Sequence, residues 1–164
     1  MTIKILEKAG DILQIIEHQN IQLNNLISYT RNIRHSDILK LTKYITDNLH
    51  VLDLTQSDKI LFTENHLTGE DDRVNTEILI PVNGNITKCD EFQYKPSFNL
   101  INAVTIRHEG SLEKLSQTES ILKEFIQKKH YVITTPTYYV IISNNGTISN
   151  CIIDIYVGIN NYSL

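Results

Sequence analysis

Six histidines, His18, His35, His50, His66, His108 and His130, are the side chains in this sequence best suited to metal or proton chemistry. None falls in the HxxxH or HExxH spacing that sets two imidazoles on one helix face, so no metal centre is expected. Cys89 and Cys151 are the two cysteines. Without CxxC spacing they read as ordinary thiols, not as a zinc knuckle or disulfide framework. His108 and Glu109 are adjacent, and neighbours on a strand point to opposite faces, which is poor geometry for an acid-base dyad. Ser111 would need a base that the surrounding residues do not identify; ahead of a helical run it reads as an N-cap. P-loop and GxGxxG runs are absent, so neither a catalytic residue nor a cofactor is expected. Binding chemistry remains. Tyr29, Phe62, Tyr138, Tyr139 and Tyr156 lie in strand-like runs, where they either line an aromatic pocket able to stack a planar ligand or fill core and sheet surface.

Periodicity shows which elements would position these rings. Ile5, Ala9, Ile12 and Ile16 recur at spacings of three and four, which predicts an N-terminal amphipathic helix over residues 1–19, centred on Ile3 to His18. Ile21 to Tyr29 reads as extended, and Ile38, Leu41, Ile45 and Leu49 follow at helical spacing behind the candidate caps Ser36 and Asp37. Lys59 to Phe62 and Val74 to Val82 read as strands around a polar tip from Glu64 to Arg73, and Asn83-Gly84 closes the unit as a turn. The second half repeats this order. Phe98 to Arg107 is extended, a helix runs from about Ser111 to Lys129, and strands at Tyr131 to Ser143 and Ile148 to Asn160 are joined by Asn144-Asn145-Gly146. Basic residues Lys123, Lys128, Lys129 and His130 crowd the end of that helix, where they complement its dipole.

One ungapped offset of 77 residues aligns the halves. It sets Ile38 on Leu115, Ile45 on Leu122 and Leu49 on Ile126, and it leaves Leu23, Asn25, Gly69 and Asn83 on identical residues. Identities are few, so matching periodicity and turn positions carry the case. The expected fold is α+β: two βαββ repeats, 20–83 and 97–160, paired about a pseudo-twofold in one domain of residues 20–164. Glu77 and Asp154 then occupy equivalent places, either as a carboxylate pair near the axis or as separate solvated or hydrogen-bonded strand residues.

Composition narrows the classes. The 164 residues are 41% apolar and 21% charged, with six Gly and three Pro, as expected of one folded domain. Fifteen Lys and Arg against nineteen Asp and Glu leave a net charge of −4 and no basic block, which argues against nucleic acid as a direct partner. No apolar run approaches the ~20 residues of a bilayer-spanning helix, and the N-terminus lacks a signal-peptide pattern. No membrane association and a cytoplasmic location are expected.

Arg107-His108-Glu109-Gly110-Ser111-Leu112, between a strand and a helix, resembles the strand-to-helix motif of the GyrI-like, or effector-binding, domains. The run Thr76 to Val82 and the run Ile153 to Ile159 resemble that family's terminal strands, so the resemblance spans about residues 20 to 160. It implies a groove between the repeats. In drug-sensing members a groove glutamate on the strand after the second helix binds cations; the matching run Thr135 to Ile141 carries Tyr139 there, which weakens a cationic ligand and a hydrolase activity alike. Regulators of the family carry a helix-turn-helix segment, for which the residues ahead of the first repeat leave no room. The leading expectation is a non-enzymatic protein-binding adaptor or chaperone docking through the N-terminal helix and exposed sheet edges. It also resembles accessory proteins of type VII secretion, whose partner is a secreted toxin, and a homodimer is a further option. The alternative is a receptor for a neutral or aromatic small molecule.

Overall fold

The computed structural model describes residues 3–8, 11–67, 69, 72–87, 89–143 and 147–161. The order is β1 (Ile3–Lys8), β2 (Asp11–Arg34), α1 (Ile38–Asp47), β3 (Thr55–Gln56), β4 (Leu61–His66), β5 (Arg73–Asn83), β6 (Gln93–Gly110), α2 (Leu115–Lys128), β7 (Val132–Ser143) and β8 (Cys151–Asn160). All strand pairings are antiparallel. The sheet order is β1-β2-β6-β8-β7-β4-β5-β3, and β2 also pairs with β5, so six strands from β2 to β5 form a closed ring of ladders. No helix among the described residues is long and apolar enough to cross a membrane.

The duplication holds down to the register. Tyr29 pairs with Ile78 and Ile106 with Ile155, while Leu61 pairs with Leu79 and Tyr138 with Tyr156. Each second pair is the first with 77 added to both members. Two further ladders join a residue to its own equivalent: Gln22 to Asn99 in β2–β6, and Phe62 to Tyr139 in β4–β7. The pseudo-twofold axis therefore passes through these two points. Asn25 and Asn102, identical across the repeats, share left-handed backbone at φ 56° and 54°. Each amide donates to an equivalent carbonyl, Asn25 Nδ2 to Val82 O at 2.6 Å and Asn102 Nδ2 to Ile159 O at 3.0 Å. Asparagine is among the few residues that tolerate this conformation, which bends β2 and β6 across the molecule. Gly84, past the end of β5, has φ +117°, and a Cβ there would stand 2.9 Å from the Asp53 carbonyl. The Asn144–Gly146 turn lies outside the described residues.

Two apolar layers share the sheet. The larger packs α1 and α2 through Ile38, Leu39, Ile45, Leu115, Leu122, Phe125 and Ile126 against Phe62, Ile78, Ile106, Tyr139 and Ile155. The smaller, on the face turned from the helices, is built from Leu23, Leu26, Leu61, Leu79 and Val140 with Phe98, Tyr138 and Tyr156 around them. Ser111 accepts from the Glu113 amide at 3.3 Å, as a cap should. Asp37 precedes α1 without a side-chain cap bond, and Ser36 sits inside a short 3-10 turn, His35–Asp37.

The expected N-terminal helix is not formed. Residues 3–8 and 11–18 are β-strand: Ile3 pairs with Ile16 and Ile5 with Gln14, while Ile15 and Ile16 pair with Ile106 and Thr105 on β6. β-Branched isoleucine loses side-chain freedom in a helix and suits a pleated sheet. An isolated helix of this length is marginal, whereas a strand here gains the free edge of β6. The segment is tied in by side chains as well. Glu17, only 2% exposed, accepts from the Tyr131 hydroxyl at 2.5 Å with Lys129 Nζ at 3.8 Å, and Lys4 and Lys129 lie over the Phe125 ring at 5.5 and 5.6 Å.

Candidate functional site

Alternation along the strands sorts the candidate residues. Leu61 on β4, Glu77 and Leu79 on β5, Tyr138 and Val140 on β7, and Asp154 and Tyr156 on β8 face away from the helices, and Leu61, Val140 and Tyr156 among them line a cavity. Phe62 and Tyr139, one residue out of step, face the helices and stack at 4.9 Å between centroids with an interplanar angle of 21°. Tyr29 also packs on the helix side, 5.5 Å from Phe92, and its hydroxyl accepts from Arg31 Nε at 3.0 Å. Of the seven candidates, the structure thus brings Glu77, Tyr138, Asp154 and Tyr156 to one face and takes Tyr29, Phe62 and Tyr139 out of it. Tyr139, aligned with the ligand glutamate of the drug-sensing domains, is not a groove residue; Tyr138 beside it is.

Glu77 and Asp154 are equivalent but do not form a pair. β4 and β7 lie between their strands, and each carboxylate is held by partners of its own. Each is instead a separate hydrogen-bonded strand residue. Glu77 accepts from the Ser28 hydroxyl at 2.5 Å and is ion-paired with Lys95. Asp154 is clasped by Arg107, Nε at 2.7 Å and Nη2 at 3.0 Å. Burial, and then the nearby charges of Glu77 and Asp154 respectively, raise the Tyr138 and Tyr156 phenols above their ordinary pKa, so both remain neutral donors near pH 7.

A cavity of about 240 Å³ opens on this face, lined by Ile21, Gln22, Leu23, Leu61, Val140 and Tyr156, with Asn20, Asp58 and Lys59 also at its walls. The duplication explains its position. The equivalents of Ile21 and Leu61 in the second repeat are Phe98 and Tyr138, whose rings pack edge to face at 4.9 Å and 72°. Smaller side chains leave open at one end of the groove a volume that two rings occupy at the other. Lys95, Arg107, Gln22 and Lys59 were not singled out by pattern. A register read across β6–β8 would have found Arg107 opposite Asp154; Lys95 has no such sequence signal.

On the helix side a second polar cluster surrounds the axis. Tyr139 and Thr137 donate to Glu119 on α2 at 2.7 and 2.8 Å, and Lys123 pairs with it at 2.6 Å. Burial raises the Glu119 pKa, but these donors outweigh it and hold the carboxyl below its usual value. His35 Nδ1 lies 2.8 Å from Glu64 and Nε2 3.5 Å from the Leu112 carbonyl, so both nitrogens face acceptors and its pKa is raised, chiefly by the Glu64 bond. His108 is the opposite case: Nε2 donates to Ser111 O at 2.9 Å, Nδ1 accepts from Thr118 at 2.8 Å, and burial pushes its pKa down. Stability from His35 is present below the unfolded value of ~6.5 and lost as pH rises through its raised folded pKa; stability from His108 is present above ~6.5 and lost as pH falls through its lowered one. The melting-temperature advantage of the wild type over His35→Gln should accordingly shrink from pH ~6 to ~9, and that over His108→Gln should shrink from pH ~7 to ~5. Melts across pH check both signs, and a His35 advantage that grew with pH would remove its role as a paired cation.

No family model matches the sequence, and no curated protein matches it. Solved structures do. EcmrR, determined by cryo-electron microscopy as a DNA complex, superposes with a TM-score of 0.64 at 17% identity, over 92% of this chain and 58% of EcmrR. This chain therefore spans less than two thirds of that protein's length. The isolated EcmrR C-terminal domain gives 0.62 at 18% identity, over 92% of this chain and 99% of the domain. A hydrolase from Listeria innocua gives 0.54 at 8% identity, over 90% and 91% of the two chains. At such identities what is shared is architecture, and the chain is built on the GyrI-like, effector-binding-domain fold.

Proposed function

We propose that this chain is a non-enzymatic receptor for a small molecule held in the groove. The observation that carries the reading is the cavity of about 240 Å³ beside the pseudo-twofold, with Leu23, Leu61, Val140 and the Tyr156 ring as walls and Gln22, Asp58 and Lys59 as polar groups. Its volume falls just short of the ~300–1,000 Å³ usual for drug-sized ligands, which points to an occupant of about one ring. A neutral phenol at Tyr156 can orient a polar head group by hydrogen bonding. No nucleophile with an adjacent base faces the cavity among its lining residues, which supports binding over catalysis. The adaptor or chaperone reading, with a type VII secretion toxin as client, drew on a docking helix as well as on exposed sheet edges; β1 and the start of β2 stand in that helix's place.

Ile21→Phe tests the reading by placing in the first repeat the residue that fills the equivalent position of the second. Native mass spectrometry of the protein purified from cell extract should show a small-molecule adduct in the wild type and its loss, by about tenfold or more, in Ile21→Phe with an unchanged melt. Absence of any adduct, together with no thermal shift from a panel of single-ring neutral compounds, would sink the receptor reading.

A further inference from the structure

Two carboxylates stand on the sheet face that carries the cavity, and the same strand supplies a cation to each. Lys95, near the start of β6, reaches Glu77 on β5; Arg107, near its end, clasps Asp154 across the β6–β8 ladder. The acids are the more buried partner in both pairs, 26% exposed against 38% for Lys95 and 13% against 51% for Arg107. A carboxylate so far withdrawn from water needs a compensating charge. The repeats match at the acids but not at the bases, since the first-repeat equivalents of Lys95 and Arg107 are His18 and Thr30.

We infer that Lys95 and Arg107 set the charge selectivity of the groove, neutralising Glu77 and Asp154 from within the chain and so reserving it for uncharged ligands. The inference rests on the receptor reading and names its ligand class. Aromatic faces beside a buried carboxylate form a seat for a lipophilic cation, because ring quadrupole and charge attract it together. Tyr156 stands on the same strand face as Asp154, and Tyr138 and Phe98 lie on the Glu77 side. An incoming cation must displace a basic side chain that is covalently tethered and therefore present at high effective concentration. A neutral molecule meets no such competitor. Arg107 decides at the cavity itself, for Asp154 lies directly across from Val140, and Val140 and Tyr156 are both cavity walls. The remaining charges nearby are Asp58 and Lys59 at the cavity wall, which offset each other, and Glu109, whose charge acts on Arg107.

Phenyltrimethylammonium and tert-butylbenzene have nearly the same shape and differ in charge, so the ratio of their affinities for the full chain, measured by NMR titration, isolates the effect. Arg107→Met should move that ratio toward the cation by about tenfold or more, and Arg107→Met combined with Asp154→Asn should restore it. Lys95→Met makes the same test at Glu77 and serves if Arg107→Met does not fold. A ratio unchanged in the folded variants overturns the inference, as does a wild type that prefers the cation or a protein that binds neither probe in any variant. These outcomes are separate from the Ile21→Phe adduct comparison, which judges the receptor reading alone.

Discussion

Deleting residues 1–18 is expected to unfold the domain. Ile15 is completely buried in the helix-side core, and loss of such a side chain costs about 2–5 kcal/mol. The same deletion strips the Ile15–Ile106 and Ile16–Thr105 pairing from β6, uncovers Phe125 and leaves Tyr131 without Glu17. Against a total stability of roughly 5–15 kcal/mol, these losses exceed what one domain can absorb. Circular dichroism should show no cooperative melt for the truncated chain, whereas removal of residues 1–8, which takes only the edge strand β1, should leave one. A truncation at residue 18 that melts within a few degrees of the wild type would show that the first third of β2 is an appendage.

Phe62→Ala should be the most damaging single substitution of those considered, at about 3–5 kcal/mol. Phe62 is fully buried, stacks on Tyr139 and sits on the pseudo-twofold where β4 and β7 meet. That seam is short, with Leu61–Val140 and Phe62–Tyr139 as its registered pairs, so the ring carries much of the contact between repeats on this side. Tyr139→Phe keeps the ring and removes only the hydroxyl bond to Glu119, which still has Thr137 and Lys123; about 1 kcal/mol is expected. Urea unfolding of the two variants measures both values. Equal costs, or a larger one for Tyr139→Phe, would place the energy of the seam in the hydrogen bond and not in the packed rings.

Much of the architecture was legible before any coordinates. The 77-residue offset holds in both intra-repeat registers, and helices fall where the apolar spacing put them. Asn25 and Asn102, one of few identities between the repeats, prove to share left-handed backbone and equivalent carbonyl bonds, a role that identity counting undervalues and backbone geometry explains. The N-terminal segment misled because apolar spacings of three and four also fit two strands paired as β1 and the start of β2, and periodicity over so short a run does not distinguish them. His18, at φ 58°, lies at a register irregularity in β2.

The groove was legible only in part, and the reason is geometric. Alternation alone determines that Tyr138 and Tyr139 point to opposite faces, as do Leu61 and Phe62. Which of the two faces meets the helices depends on how α1 and α2 settle onto the sheet, a packing outcome between segments far apart in the chain. Charge pairing has the same character: Glu77 and Lys95 are joined only because β2 and β6 cross beside β5, and nothing local to either residue announces it. The sequence by itself therefore determined the duplicated unit, its principal strands, its two helices and the Ser111 cap, since these follow from local periodicity and backbone chemistry. The tertiary structure decided which rings face the groove, where a cavity opens and which cation meets which carboxylate, because burial and ion pairing are properties of contacts between distant elements.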